Sequence, residues 1–309
     1  MKHLYTLLFL CLITTISLAQ PTDFSAEGLR QEGKLREAIE AYKAVYTQSP
    51  ENWKNTYDLA CAYALTYQVD SAFQYLSIAL KDEHSLWPMA DTDLLALIDD
   101  PRWTALEKAQ IERFQKTNTD LKQAEYAKKL LRLIMKDQAL DYYIDQAKAA
   151  FMKEGGIPHW YYPIGAYKQQ IGRENYATLQ QLLEEYGWPK YSTVGQLAAD
   201  APLLVINHHE SESVRMQYLP QIKKACLEKE GSCMEYAKIQ DRILVNTNQP
   251  QIYGMQFRYN SKRELEPFPI KDPEYVDQRR FEIGLEPLKD YLKRKINYDW
   301  TVEQKSEKK

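Results

Sequence analysis

Glycine is scarce in this sequence, whereas tyrosine is abundant. The chain has 309 residues, of which 11 are glycines and 23 are tyrosines. Turns and strained loops use glycine more than any other residue, so its scarcity favours helices joined by short connections. Tyrosine rings pack well between helices while their hydroxyl groups reach water or a hydrogen-bond partner. We therefore predict a mainly α fold, and the length suggests about two domains.

Excess basic charge and long apolar runs are also missing. The formal net charge is −3 at pH 7, and no basic stripe follows any segment. The sequence thus lacks the electrostatic pattern of a protein that binds nucleic acid. Beyond the N-terminal segment, no apolar run is long enough to cross a membrane. We expect no integral membrane segment in the mature protein.

The one substantial apolar run lies at the N-terminus. A lysine precedes the apolar stretch Leu4–Ile16, and Ser17–Ala19 resembles a small-residue cleavage site before Gln20. This arrangement predicts a cleaved signal peptide over residues 1–19, and the alternative is an uncleaved anchor. Cys11 lies inside the run rather than after the cleavage site, which argues against a lipoprotein. We expect an exported protein that is periplasmic or secreted.

Cysteine is sparse, and export permits the remaining cysteines to form disulfides. Cys226 and Cys233 flank a turn that contains Glu-Lys-Glu-Gly. A disulfide there would close a local loop between two helices, and two free thiols are the alternative. Cys61 lies among apolar helix positions and is predicted to be a small buried side chain. No cysteine pair has zinc-finger spacing, and the sequence predicts neither a metal nor a cofactor.

A repeat of 34 residues occupies the first hundred positions. Similar side chains recur at this period in three pairs, which are Leu29 and Tyr63, Ala38 and Ala72, and Val45 and Ala79. The period and the alternation of small and large residues resemble tetratricopeptide repeats, and Pro50 would end the first unit. Residues 20–115 are therefore predicted to be tetratricopeptide-like, with a short helix, a turn at Asp100-Pro101 and a capping helix. A generic array of helical hairpins is the alternative.

Residues 116–298 form the second predicted domain, a helical domain with one β-hairpin at about 251–270 and a polar tail over 299–309. The segment Glu154–Gly165 is predicted to be a packed surface loop, with a lip over a site as the alternative. Predicted elements further along are a helix ending at Gly187, an interruption at Pro202, helices over about 213–228 and 234–245, and two helices separated at Gly284.

Seven short motifs in this second domain carry a resemblance. In chain order they read KDQALD, GWPKYSTVG, NHHE, DRILV, QPQIYGMQF, PIKDPEYVDQRR and GLEPL. Their order and wording resemble a bacterial domain family of unknown function over roughly Ala127 to Lys295. That pattern has Gln-His-Ala-Asp at Asn207–Glu210 and Tyr-Gly-Thr-Gln at Tyr253–Gln256. His208 and Gln256 match it, whereas Asn207, His209, Glu210 and Met255 depart from it. The resemblance implies no reaction and no ligand.

His208 is the candidate catalytic residue. It cannot readily bind one metal together with His209, because adjacent helical residues point about 100° apart, and the His-x-x-x-His zinc pattern is absent. The ordinary pKa of histidine suits a general acid or base. The predicted pocket contains, besides His208, the residues Asp241, Arg242, Gln256 and Arg280, with Asp277 as another orienting partner. The sequence has no recognisable serine or cysteine nucleophile motif and no nucleotide-binding loop.

A structural role for these residues is the alternative. In that interpretation His208 ends a buried helix and bonds to the backbone or to Asp241. The pair Asp241-Arg242 and the segment Asp277–Arg280 would then be ion pairs that fix helices against the hairpin, because buried charges need partners.

Two functions from different classes follow. The first, which the sequence favours, is an exported interaction protein whose repeats bind a protein or peptide partner, with Asn55 and Asp58 as candidate contact residues. The second is an envelope enzyme of the hydrolase type, or a small-molecule binder, with the pocket centred on His208. Convergence of the predicted side chains in one open cavity would favour the second.

Overall fold

The structure is a computed structural model that describes residues 25–118 and 121–305. The predicted signal peptide and the end of the polar tail lie outside the described residues. Within them, the prediction of a mainly α fold with a β-hairpin is confirmed. No helix in the described ranges is both long enough and apolar enough to span a membrane.

The N-terminal part consists of antiparallel helical hairpins. Its elements are α1 (Ala26–Gln31), α2 (Leu35–Gln48), α3 (Trp53–Leu65), α4 (Val69–Ala79), two 3-10 helices (Trp87–Ala90 and Thr92–Leu97) and α5 (Pro101–Thr117). Asp100 caps α5 by accepting from the Arg102 N–H at 2.9 Å, and Pro101 occupies the first turn, where no N–H is needed. The predicted short helix before this turn is thus a pair of 3-10 helices.

The turns inside the two hairpins have the same geometry 34 residues apart. Gly33 and Tyr67 both have positive φ angles, 75° and 57°. The following residues, Lys34 and Gln68, donate their N–H groups to the carbonyls of Leu29 and Tyr63, each at 2.9 Å. Equivalent small residues in α2 and α4 are fully buried, namely Ala38 and Ala72.

The C-terminal part continues with helices and the hairpin. Its elements are α6 (Ala124–Gln138), α7 (Asp141–Glu154), α8 (Tyr161–Tyr186), α9 (Tyr191–Val194), α10 (Gln196–Ala199), α11 (Ala201–His208), α12 (Glu212–Leu227), α13 (Cys233–Asn246), β1 (Phe257–Tyr259), β2 (Leu265–Pro267), a 3-10 helix (Pro273–Tyr275), α14 (Val276–Glu282) and α15 (Leu288–Ile296). The strands are antiparallel, with Arg258 opposite Glu266. A disulfide between Cys226 and Cys233 joins the end of α12 to the start of α13.

Helix α6 lies at the centre of the molecule. Its apolar stripe is fully buried and includes Leu130, Leu131 and Met135. It packs against α8, α10 and α11 on one side and against both N-terminal 3-10 helices on the other. One apolar core therefore runs from α2 to α13. A smaller core joins the hairpin region to α14 and α15 around Met255, Leu288 and Tyr291.

Two predicted elements differ from the structure. The expected loop over Glu154–Gly165 is shorter, because α8 already begins at Tyr161 and Pro163 fits its first turn. The expected strand from Gln251 is also shorter, and β1 starts only at Phe257. The backbone of the segment before β1 forms hydrogen bonds with side chains instead of with a neighbouring strand. The Gln251 amide, for example, bonds the carbonyls of Gln256 and Phe268 at 3.0 and 2.9 Å.

Candidate functional site

A cleft of about 910 Å³ lies in the C-terminal part. Helices α7, α8 and α13 each present one stripe of side chains to it. The α13 stripe is Lys238, Arg242 and Asn246, which are spaced four residues apart and so share a helix face. The turn after α11, residues 207–210, and the segment at Met255-Gln256 complete the lining.

His208 ends α11 at this cleft. Its Nδ1 atom lies 2.7 Å from Oδ2 of Asp137, near the end of α6. The Asp137 side chain is only 1% exposed, whereas the His208 side chain is 29% exposed. The ring therefore has one nitrogen held by a buried carboxylate while the ring itself lines the open cleft. Aspartate–histidine pairs of this geometry orient the imidazole in general base catalysis.

The surroundings of Asp137 favour its ionised form. Burial alone would raise its pKa, but the hydrogen bond and charge of His208 together with the charge of Lys168 outweigh burial and lower the pKa. The Gln138 amide also donates to Oδ2 at 2.7 Å. An ionised carboxylate only accepts hydrogen bonds. The Asp137 carboxylate therefore accepts a hydrogen bond from Nδ1 of His208, and Nε2 is the ring nitrogen left to exchange a proton with a ligand.

Two arginines hold the turn that follows His208. Arg215 is 5% exposed and is paired with Glu212 at 2.9 Å, and it also donates to the carbonyls of Asn207 and His209. Arg242 donates to the Asn207 carbonyl at 2.5 Å and to its Oδ1 at 3.1 Å. These bonds satisfy carbonyls at the C-terminus of α11.

Gln256 lies on the cleft wall beside this turn. Its Nε2 donates to the Lys238 carbonyl at 2.9 Å, and its backbone N–H donates to Gln251 Oε1 at 2.8 Å. The first bond fixes the side chain and the second fixes its backbone. Three residues of the predicted pocket, His208, Arg242 and Gln256, therefore do line one cleft.

The other two predicted pocket residues lie elsewhere. Asp241 is 0% exposed and accepts the backbone N–H groups of Ile252, Tyr253 and Met255. Arg280 is also 0% exposed. It donates to the carbonyls of Tyr253 and Glu286 at 2.5 and 2.7 Å. Their bonds hold the segment before β1, so the expectation that they face the pocket is wrong.

The expected orienting partner of His208 is also wrong. Asp277, one of the candidates, accepts the Leu288 N–H at 2.7 Å at the start of α15. Asp137 takes that role, and the pattern of α6 contains a signal for it. Ile134 follows Leu130 by four residues and Asp137 follows Ile134 by three, which places a carboxylate on the apolar stripe. A charge in that position requires a buried partner.

Residues 128–302 match the model of a family of unknown function, DUF6624. The match covers more than half of the chain. The chain belongs to the DUF6624 family. No curated protein and no solved structure matches it significantly. The DUF6624 region includes both Asp137 and His208 and all of the residues that line the cleft.

A second cleft of about 770 Å³ lies between the N-terminal hairpins and α7, and most of its lining residues precede the DUF6624 region. Asp58 of α3 lines it, together with Trp87 and Tyr143. Asn55 does not. It is 8% exposed, and its Nδ2 donates to the Tyr42 carbonyl at 3.0 Å. Asn55 thus supports the packing of α3 on α2 rather than forming the expected contact surface.

Within residues 25–118 and 121–305, no group of three His, Cys, Asp or Glu side chains lies close enough together to hold a metal ion. Cys61 is the free thiol of the described ranges and is buried, and burial raises its pKa well above the ordinary value. A thiol of this kind is a poor nucleophile. The imidazole that a buried carboxylate holds in the larger cleft is that of His208.

Proposed function

We propose that the protein is a hydrolase-type enzyme in which His208 acts as the general base and Asp137 as its orienting partner. The observation that supports this proposal is the 2.7 Å contact between Nδ1 of His208 and the buried carboxylate of Asp137 at the wall of an open cleft. Among the described residues, no serine, threonine or cysteine lines this cleft, so in this proposal water attacks the bound substrate.

The reaction follows from the assigned proton positions. Nε2 of His208 takes a proton from water as the water oxygen forms its bond to the electrophilic centre of an ester, amide or phosphoester. The imidazolium then returns that proton to the departing oxygen or nitrogen. Asp137 stays ionised and stabilises the imidazolium. General base catalysis of this kind contributes about 10²–10⁴-fold in rate.

A panel of chromogenic substrates tests the proposal. Purified protein is assayed with nitrophenyl acetate, nitrophenyl phosphate and amino acid nitroanilides. We expect turnover of at least one class, with kcat/KM at least about 10²-fold lower in His208→Ala. His84→Ala is the matched control, because His84 is exposed and does not line the cleft. Turnover that is equal in wild type and His208→Ala, or no turnover of any class, would reject the enzymatic assignment.

The same proposal includes export. The N-terminal sequence supports a signal peptide cleaved after Ala19, which would place the enzyme in the bacterial periplasm or outside the cell. The disulfide between Cys226 and Cys233 is consistent with an oxidising compartment.

The N-terminal hairpins favour a second function, which is binding of a protein or peptide partner by tetratricopeptide-like repeats. Its support is the turn geometry that recurs after 34 residues at Gly33 and Tyr67. The second cleft, lined by α1 and α3 residues, is the matching surface. A photoreactive amino acid at Asp58 should form an adduct with an envelope protein. The adduct should be lost in Trp87→Ala and absent when the probe replaces the exposed Gln74. Adducts that do not depend on position would contradict the binding role.

A further inference from the structure

The charged groups of the larger cleft are almost all paired. Lys168 lies 2.7 Å from Asp141, and Lys148 lies 2.9 Å from Asp145. On the opposite wall, Lys238 pairs with Glu235. Each of these cations therefore has its charge compensated by a carboxylate of the protein.

Arg242 differs from these cations. It is half-buried on the wall of the cleft, and no carboxylate lies within ion-pair distance of it among the described residues. Glu212, the acidic residue whose charge acts on Arg242, is already bonded to Arg215 and to the Asn246 amide, at 2.9 and 2.6 Å. Arg242 thus brings a charge into a partly dehydrated wall where, in the part of the chain that the structure describes, no carboxylate forms an ion pair with it.

The guanidinium of Arg242 also has donors to spare. Both of its hydrogen bonds, to the carbonyl and Oδ1 of Asn207, come from Nη1. Within the described ranges, neither Nε nor Nη2 donates a hydrogen bond to a protein group. Both atoms remain accessible to solvent. The Asn207 bonds fix the plane of the guanidinium. A fixed guanidinium with two open donors has the geometry that binds a carboxylate or phosphate through two oxygens.

Positive charge around Arg242 strengthens its attraction for an anion. Burial and the neighbouring charge of Arg215 both lower the pKa of Arg242, although Glu212 acts in the opposite direction. Two guanidiniums side by side repel each other, and an anion bound between the walls would relieve that repulsion. Glu210 also lines the cleft. It is exposed and adds one negative charge at the turn 207–210.

We propose that Arg242 is the anchor for an oxyanion group, a carboxylate or a phosphate, on the small molecule that occupies this cleft. Arg242 and His208 line the same cleft, and Arg242 is bonded to Asn207, the residue before His208. We therefore place the anion and the bond to be cleaved on one ligand. This proposal deepens the proposed function and rests on it for the statement that the ligand is a substrate. The binding of the anion itself does not depend on catalysis.

Calorimetric titration of the whole protein with sodium phosphate and with sodium acetate, in chloride buffer of constant ionic strength at pH 7.5, tests the proposal. We expect millimolar binding of at least one anion by wild type, and affinity about tenfold lower or weaker in Arg242→Gln. Arg258→Gln is the matched control, because that arginine lies on β1, outside the cleft, and pairs with Glu266. Its affinity should equal that of wild type. The preferred anion distinguishes a carboxylate ligand from a phosphate ligand.

Equal affinity in folded Arg242→Gln, or no binding of either anion by wild type, would overturn the proposal. If Arg242→Gln does not fold, Arg242→Lys decides, since it keeps the charge and loses the planar fork. Its affinity should fall several-fold, and unchanged affinity would count against the two-oxygen contact. The outcome is separate from that for catalysis. Anion binding that needs Arg242, together with turnover unaffected by His208→Ala, would reject the enzyme and leave the anion site standing.

Discussion

Replacing Asp241 by alanine should destabilise the protein strongly, although the residue lies outside the cleft. Its carboxylate accepts the N–H groups of Ile252 at 2.7 Å, Tyr253 at 3.1 Å and Met255 at 2.9 Å. Alanine removes the acceptor for all three donors. Met255 is 4% exposed, so water cannot readily replace the carboxylate there.

The size of the effect follows from the burial of these donors. Each unsatisfied buried donor costs about 1–3 kcal/mol. Ile252 and Tyr253 are half-buried, so their N–H groups recover part of that cost by bonding water. We expect the free energy of unfolding to fall by about 3–5 kcal/mol. Asp241→Asn keeps one acceptor oxygen and should cost about half as much.

Urea denaturation followed by tryptophan fluorescence measures this change. Burial raises the pKa of Asp241 to about 6 despite the backbone hydrogen bonds, so the assay belongs at pH 7.5, where the carboxylate is ionised. The matched control is Asp82→Ala, at an exposed aspartate, which should change stability by less than about 0.5 kcal/mol. A loss below about 1 kcal/mol for Asp241→Ala would refute the argument that this carboxylate organises the segment before β1.

Three further predictions concern other parts of the chain. Burial raises the pKa of Asp200 from 3.8 to about 6, so its ionisation destabilises the fold as pH rises from about 4 to 6. In urea denaturation, the free energy of unfolding of Asp200→Asn relative to that of wild type should therefore rise by about 1–3 kcal/mol between pH 4 and pH 8. A difference between the two proteins that stays constant with pH would contradict this. Replacing both Cys226 and Cys233 by serine removes the closure of a short loop and should lower the unfolding free energy by about 2 kcal/mol, checked by the same assay with and without reductant. Mass spectrometry of the exported protein should find Gln20 as its first residue, whereas an intact Met1 would indicate an uncleaved anchor.

Helices were predictable from the sequence because their signals are local. The stops at Gly187 and Gly284, both with positive φ, mark helix ends that glycine makes possible. The helices predicted at about 213–228 and 234–245 correspond to α12 and α13 within two residues. The start of α8 was not predictable in this way, since Pro163 reads as a loop residue and yet fits the first turn of a helix.

The hairpin shows where local patterns fail. The alternation from Gln251 to Tyr259 has the period of a strand, but the first half of it pairs with side chains of α13 and of Gln251 itself. Such bonds depend on residues about ten positions away in sequence. No periodicity within the segment contains that information, so the strand is shorter than its pattern.

Part of the site could be predicted from the sequence, and the rest could not because it depends on contacts between distant residues. His208, Arg242 and Gln256 were expected in one pocket, and all three line the cleft. Asp241 and Arg280 were expected there because of their charge, but in the fold both bond to backbone groups. Asp137 lies 71 positions from His208. Only the packing of α6 against α11 brings that pair together.

The position of α6 also links the dyad to the N-terminal part of the molecule. Glu107 of α5 is 2% exposed; it pairs with Arg132 of α6 at 2.6 Å and accepts from the Trp103 indole at 2.9 Å. The family match begins at residue 128, inside α6, so it divides the helix that carries Asp137. A fragment cut at that boundary would lose α5 and both 3-10 helices, and one side of the α6 stripe would face water. We therefore expect the Asp137–His208 geometry to depend on hairpins that lie outside the matched region, because the two parts share one apolar core.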